Sequence, residues 1–64
     1  MWFQHARKLH SGDEVCVRKK VMGRVAYAKV LNAWQAVEKP NTMMFDVLLE
    51  TGEFLQNLSH LDLV

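Results

Sequence analysis

Four cationic side chains lie close together in the first half of the chain: Arg18, Lys19, Lys20 and Arg24. A basic hairpin can follow a phosphate backbone, because each contacted phosphate releases condensed counterions. The same charges would also keep an exposed turn solvated and prevent it from pairing with another strand edge. Because the formal net charge of the chain is only +1, a solvated turn is favoured, and nucleic-acid binding through these four residues is the alternative.

The charge is distributed unevenly along the chain. Residues 1–29 contain seven Lys or Arg and two Asp or Glu, whereas residues 30–64 contain one and five. Such asymmetry indicates either nucleic-acid contact or association between copies of the chain. In a compact fold the two halves interleave, so much of this field cancels.

Two aromatic side chains, Tyr27 and Trp34, follow the basic residues. Aromatic rings can stack on nucleic-acid bases or grip a peptide. They are also enriched in oligomer interfaces, where their role is packing. Packing, either beneath a hairpin or between copies of the chain, is favoured for both residues.

The remaining side chains with chemical reactivity are Cys16 and the three histidines, His5, His10 and His60. Their separations match no zinc pattern, and a single cysteine excludes a disulfide within the chain. No turn that would activate a nucleophile is visible. The sequence therefore predicts no metal site, no cofactor and no catalytic residue, and we expect that the protein is not an enzyme.

Alternation of period two over short segments predicts that strands position these residues. The most regular segment, 43–50, places Phe45, Val47 and Leu49 on one face. Thr51-Gly52 fits a two-residue hairpin loop, because its glycine can adopt the positive φ that such a loop requires. The predicted strands cover 14–20, 24–32, 43–50, 53–57 and, as a short closing strand, 62–64.

Three connections follow from turn residues. Val21-Met22-Gly23 predicts a short hairpin connection. Residues 33–42 predict a long hairpin that flares into a loop at Pro40, since proline cannot donate to a strand ladder; one helical turn at 33–37 is the alternative. Ser59-His60-Leu61 predicts a single 3₁₀ turn, in which the serine satisfies the first free N–H groups.

Several apolar side chains fall on the outer faces of the predicted strands. If Phe45, Val47 and Leu49 point into the core, Leu48 must point out. An outward apolar set in a very small domain indicates a partner surface. The predicted partner or oligomer face consists of Val25, Tyr27, Leu31, Trp34 and Leu48.

The chain has only 64 residues, of which 50% are apolar. A domain of this size buries about 60% of its unfolded surface, so association between copies is a common source of added stability. We predict an N-terminal arm at 1–10 and a single barrel domain at 11–64. Trp2 and Phe3 predict that the arm, as a short helix or an extended segment, is docked on the domain.

Segments of the chain resemble small Src-homology-3-like barrels of the Tudor and KOW type. Gly12-Asp13-Glu14-Val15-Cys16-Val17 resembles their opening strand, and Phe45 to Glu53 resembles their third strand and the turn after it. Tyr27 to Leu31 and Leu58 to Leu63 resemble the second strand and the closing 3₁₀ turn and strand. The resemblance implies an all-β, five-stranded Src-homology-3-like barrel. The aromatics that cage a methylated cation in Tudor readers are absent around Thr51-Gly52.

A weaker resemblance is to plasmid-encoded type II dihydrofolate reductase, a small barrel that is active as a tetramer. Asp13 to Lys20 and Leu55-Gln56-Asn57 are similar to its strand and pore segments. The aromatic and isoleucine that accompany the glutamine in that family are missing here. The resemblance implies a small-molecule binder or enzyme at an oligomer pore as a third alternative.

The function expected from the sequence is that of a non-catalytic binding or assembly module, which self-associates and contacts a protein partner through its outer face. No apolar run approaches the roughly 18 residues needed to cross a membrane. The first residues lack the basic-then-apolar order of a signal peptide. We therefore expect a cytoplasmic protein with no membrane partner.

Overall fold

Four antiparallel β-strands are the main elements of the structure, a computed structural model that describes all 64 residues. They follow one another in the sheet in chain order, each paired with the next. The sequence predicts an all-β class with five strands; the structure is mostly β, with a few helical turns, and its sheet is open and has four strands. The strands are β1 (Glu14–Val17), β2 (Ala26–Gln35), β3 (Met43–Leu49) and β4 (Phe54–Ser59).

One face of the sheet forms the hydrophobic core. Strand β3 alternates strictly, and Phe45 and Val47 are fully buried. Complete burial of such side chains contributes about 1.5–3 kcal/mol each relative to exposure. The buried apolar residues are Ala6, Val15, Val17, Ala26, Ala28, Val30, Met43, Phe45, Val47, Leu49 and Leu63.

Strand β2 is longer than predicted and contains a bulge. Val30 pairs with Val47, but Asn32 pairs with Asp46, so Leu31 is an extra residue on the β2 side. The strand then continues to Gln35, and the alternative of a helical turn at 33–37 is wrong. The extra residue resets the alternation, since it is Ala33 that packs against the core beyond it.

The hairpin between β3 and β4 differs from the predicted two-residue loop. The N–H of Leu49 donates to the carbonyl of Glu53 at 2.8 Å, which leaves three residues between the paired positions. The N–H of Gly52 returns to the carbonyl of Leu49 at 2.9 Å, and Gly52 has the predicted positive φ, +94°. As a result Leu48 lies opposite Phe54.

Two short helical turns flank β1. The N-terminal arm contains α1 (Phe3–Ala6), whose Ala6 is fully buried, whereas Trp2 is 80% exposed despite the expectation that both aromatics would be docked. The predicted connection before Gly23 is α2 (Lys19–Met22), so β1 ends at Val17 and not at residue 20. Gly23 adopts φ +78° and forms the C-cap of α2.

The C-terminal residues return to β1. A 3₁₀ helix, His60–Asp62, follows β4, and the side chains of Ser59 and Asp62 form a capping box at its start. The closing segment makes a single antiparallel bridge, between Val17 and Leu63. Backbone N–H groups of Arg18 and Val64 extend this contact, donating to Asp62 and Cys16, each at 2.8 Å. No helix of the structure is long and apolar enough to span a membrane.

Candidate functional site

The face of the sheet opposite the core carries the residues predicted to meet a partner. Residues at paired positions of neighbouring strands share a face. One row across the sheet runs Glu14, Lys29, Leu48 and Phe54. A second row, nearer the hairpin that joins β3 to β4, places Cys16 beside Tyr27. Alternation along β2 and β3 therefore produces a continuous outer face over all four strands.

Tyr27 and Leu48 lie together at an apolar depression on this face. Tyr27 is diagonal to Leu48, because Leu48 pairs with Lys29 two residues further along β2. Both side chains line a shallow depression of about 450 Å³. Tyr27 is 63% exposed, and Phe54, on the far side of Leu48, is 66% exposed. We call Tyr27, Leu48 and Phe54 the apolar triad; its strands span about 10 Å at the usual strand spacing.

Charged residues border the apolar triad. Glu14, Lys29 and Glu50 line the same depression. Glu14 and Lys29 are paired positions on β1 and β2 but form no ion pair, and the one ion pair of the chain joins Arg24 to Glu50 at 3.7 Å. That pair is exposed, so it contributes little to stability. The depression thus has an uncommitted base and an uncommitted acid at its margin.

A polar row divides the outer face. The Asp46 carboxylate accepts a hydrogen bond from Nδ2 of Asn32 at 3.2 Å and another from the backbone N–H of Asn57 at 3.1 Å. Beyond this row, Trp34 pairs with Met44, and both line a separate depression near the loop that follows β2. Trp34 is 37% exposed. The predicted single face is therefore two apolar patches, and the structure places Trp34 apart from Tyr27 and Leu48.

The other two residues of the predicted face lie at its irregular positions. Val25 is exposed but precedes the first residue of β2. Leu31 is half-buried and is the extra residue of the β2 bulge. Neither lines the depression beside Tyr27. The structure therefore gathers two of the five predicted residues at one site.

The four basic residues do not converge on one surface feature. Nε of Arg18 donates to the carbonyl of Leu61 at 2.9 Å, which directs this side chain towards the 3₁₀ helix. Arg24 is paired with Glu50. Lys19 and Lys20 are exposed on α2. The predicted basic hairpin is thus a helical turn with two free lysines, and its arginines point to partners within the chain.

Few other groups could react or bind a ligand. No group of three or more His, Cys, Asp or Glu side chains is arranged to hold a metal ion. Cys16 is a half-buried free thiol on the outer face. The amino group of Met1 donates to the carbonyl of Leu63, and burial, with a smaller contribution from the charge of Arg18, lowers the pKa of this amine below its usual value.

Phe54 belongs to the site but is missing from the predicted face. A two-residue loop at Thr51-Gly52 would pair Phe54 with Leu49 and so turn it towards the core. The longer loop pairs it with Leu48 and turns it outwards. The acidic residue before it and the leucine after it, Glu53 and Leu55, fit either register, so only the loop length distinguishes the two.

Comparison of the chain with protein-family models, with curated proteins and with solved structures finds no significant match.

Proposed function

We propose that the protein is a non-catalytic assembly module that self-associates through the apolar triad of Tyr27, Leu48 and Phe54. The observation that supports this is the exposure of two large aromatic side chains on either side of Leu48. Fully burying such a side chain contributes about 1.5–3 kcal/mol. Because Tyr27 and Phe54 are exposed in the single chain, they gain this energy only through contact with a partner. Aromatic side chains are also the residues most enriched at the centres of interfaces.

A second copy of the chain is the occupant that the border charges favour. In a two-fold interface, a residue away from the axis contacts a different residue of the same face in the other copy, and the contact is repeated with the two copies exchanged. Lys29 of one copy can then lie opposite Glu14 of the other, and both are free of ion pairs within the chain. An apolar centre with one base and one acid at its rim is therefore self-complementary.

We further propose that the fold is a small Src-homology-3-like barrel in which Leu63 and Val64 act as the fifth strand. The bridge between Val17 and Leu63 and the hydrogen bonds on either side of it support this closure. In such a fold the closing segment covers the end of β1 near Val17, and β4 remains an edge strand. Assembly is then a matter of the outer face and does not require strand exchange.

The test is the molar mass in solution, measured by light scattering over a concentration series. We expect the wild-type chain to be a dimer or a larger assembly, and the Tyr27→Glu and Phe54→Glu variants to be monomers. Because both side chains are exposed, these variants should keep the wild-type circular dichroism spectrum. Leu48→Asp, at the half-buried centre, should dissociate the assembly as well.

Val37→Glu is the matched control, because Val37 is the most exposed apolar residue and lies in the loop after β2. It should leave the molar mass unchanged. A wild-type chain that is monomeric at millimolar concentration contradicts self-association. If the monomer nevertheless binds another protein and loses that binding in Phe54→Glu, the same face serves a different partner.

Nucleic-acid binding through the basic residues has less support. Arg24 is paired with Glu50, and the bond from Nε of Arg18 to the carbonyl of Leu61 directs that side chain away from Lys19 and Lys20, so the four cations do not form one surface. If Lys19 and Lys20 contacted phosphates, binding would weaken steeply with salt and in a Lys19→Glu/Lys20→Glu double variant. An absence of binding at low salt would exclude this alternative.

A further inference from the structure

A second depression, on a different part of the molecule from the apolar triad, lies between α1 and the 3₁₀ helix. It has a volume of about 720 Å³ and no Asp or Glu among its lining residues. Its polar side chains are all capable of donating a hydrogen bond. Those donors are Gln4, Arg7, Arg18, Asn41 and His60.

His60 is the buried donor of this depression. The residue is only 6% exposed, and its Nδ1 accepts a hydrogen bond from the backbone N–H of Met43 at 3.2 Å. In a neutral imidazole the other nitrogen then carries the hydrogen, so Nε2 is an N–H donor. Nε2 has no hydrogen-bond partner within the chain. It is not fully buried, because the structure contains no fully buried side-chain nitrogen that lacks a partner. This N–H is therefore accessible from the depression.

Packing holds the imidazole in place. The ring of Phe3 meets it edge to face, with 5.8 Å between the ring centroids. The guanidinium carbon of Arg7 lies over the ring of Phe3, 5.9 Å from its centre. His60, Phe3 and Arg7 thus follow one another along one wall, and the cation–π contact keeps the Arg7 charge there without an acidic partner.

Arg18 supplies the second charge. Its Nε is used on the carbonyl of Leu61, which leaves the two terminal nitrogens of the guanidinium as donors. Neither Arg7 nor Arg18 belongs to an ion pair. Two guanidinium groups and one neutral N–H around a site without carboxylates match a dianion, and guanidinium groups bind phosphate oxygens in a bidentate manner.

Trp2 adds an aromatic surface at the rim. It is 80% exposed and lines the depression together with Phe3. An indole exposed to this degree contributes little to the fold, yet it lines the same depression as Arg7 and Arg18. Flat aromatic rings beside a cationic groove bind nucleobases by stacking, in a way that tolerates any base.

We propose that this depression binds a nucleoside phosphate, with the phosphate held by Arg7, Arg18 and the N–H of His60, and the base stacked on Trp2. The ligand is either a free mononucleotide or one nucleotide of a single strand, since both present the same phosphate and base. This site is independent of the apolar triad and shares only Arg18 with the basic residues singled out in the sequence.

The experiment is an NMR titration of the ¹⁵N-labelled chain with adenosine monophosphate, uridine monophosphate, inorganic phosphate and an eight-residue thymidine oligonucleotide. We expect both mononucleotides to shift the side-chain signals of Trp2, Arg7 and His60, while the indole N–H of Trp34 stays in place. Inorganic phosphate should shift Arg7 and His60 but not Trp2. An oligonucleotide that binds at least tenfold more tightly than the mononucleotides would identify a single strand as the source of the nucleotide.

Matched variants distinguish this site from general attraction to a positive protein. Arg7→Glu should lower mononucleotide affinity by about tenfold or more, because it replaces a charge-assisted donor by a like charge. Lys8→Glu makes the same charge change at the next residue, which does not line the depression, and should have less than a threefold effect. Trp2→Ala should lower nucleotide affinity about fivefold or more, as expected for one stacked base, and leave phosphate binding unchanged.

Arg7 and Trp2 are exposed, so the variants should retain the wild-type spectrum. The proposal is overturned if millimolar mononucleotide shifts none of the three side chains. Equal losses in Arg7→Glu and Lys8→Glu would also overturn it, since they would reduce the binding to non-specific electrostatics.

Discussion

Asp46 joins three strands through its carboxylate. It lies on β3, accepts from the side chain of Asn32 on β2, and accepts from the backbone N–H of Asn57 on β4. Both neighbouring strands contain an extra residue at this level, so the regular ladder is interrupted on each side. The carboxylate replaces hydrogen bonds that the bulges remove.

Removing this carboxylate should destabilise the fold. We expect Asp46→Ala to lower the free energy of unfolding by about 1–2 kcal/mol, since two hydrogen bonds are lost and a backbone N–H is left without its partner. Urea unfolding followed by circular dichroism measures this. Glu38→Ala changes an exposed residue whose side chain forms no hydrogen bond or ion pair; it is the control and should change stability by less than about 0.5 kcal/mol. Equal effects in the two variants would contradict the role of Asp46.

Asn57 is the one residue other than glycine with a positive φ, +58°. Asparagine tolerates this conformation better than most residues, and β-branched residues tolerate it poorly. Asn57→Gly should therefore preserve or slightly raise stability, whereas Asn57→Val should lower it by about 1–2 kcal/mol. Because the Asn57 side chain is exposed, the difference in urea midpoint between the variants reports the energy of the backbone conformation at this position. If the valine variant is as stable as the wild type, the segment can straighten.

At the scale of single elements, the hairpin after β3 determines which residues reach the outer face. Gly52 has φ +94°, and a Cβ placed on it would meet no atom within 4 Å. The cost of a side chain there is consequently conformational and not steric. Leu48 and Phe54 remain opposite each other only while this three-residue loop is maintained.

Gly52→Ala should thus cost about 1–2 kcal/mol of folding stability, and Gly52→Asn less, since asparagine adopts positive φ more readily. Thermal unfolding of both variants beside Thr51→Ala, which changes an exposed neighbour with no required φ, provides the measurement. If alanine and asparagine are equally tolerated, the loop has changed its register.

The elements show what a sequence pattern can and cannot specify here. The alternation of Phe45, Val47 and Leu49 predicts that these residues form the buried face of β3 and that Leu48 points outwards. The structure confirms both predictions. Burial leaves a periodic signal because one face must be apolar along the whole strand. The same alternation is seen on β2, where Ala26, Ala28 and Val30 are buried and Tyr27 and Lys29 are exposed.

Bulges and loop lengths leave no such signal. A single extra residue moves every later side chain to the other face, and nothing in the residue types at Leu31 marks it as the extra one. The loop length is why the sequence does not predict Phe54 on the outer face. The bulge is why Trp34 lies on that face, and the polar row of Asp46 separates it from Tyr27. The depression beside His60 was missed for another reason: its donors come from segments up to 56 residues apart, between Gln4 and His60.

For the molecule as a whole, the ends of the chain are tied to β1. Leu63 is fully buried, its backbone bridges Val17, and its carbonyl accepts from the Met1 amino group. Phe3 and His60, near opposite ends of the chain, are in ring contact. Contacts between residues this distant in sequence are formed late and cooperatively, so the closing segment should unfold together with the sheet.

Leu63→Ala should lower stability by about 2–5 kcal/mol, the usual cost of truncating a fully buried leucine. For a chain of this length that is a large share of the total, roughly 3–10 kcal/mol. Val64→Ala is the matched control, because the Val64 side chain is exposed. Its backbone hydrogen bond to the carbonyl of Cys16 is retained by alanine. A Leu63→Ala variant as stable as Val64→Ala would mean that the closing segment is dispensable.

The bulge in β4 has a consequence for how the molecule avoids aggregation. Strand β4 is the last strand of the sheet, and a regular strand in that position offers unpaired N–H and carbonyl groups to any other chain. The extra residue and the positive φ of Asn57 bend this edge in the middle, so that no long straight stretch is available for pairing. This irregular edge therefore discourages the edge-to-edge pairing of strands from different chains that leads to fibrils.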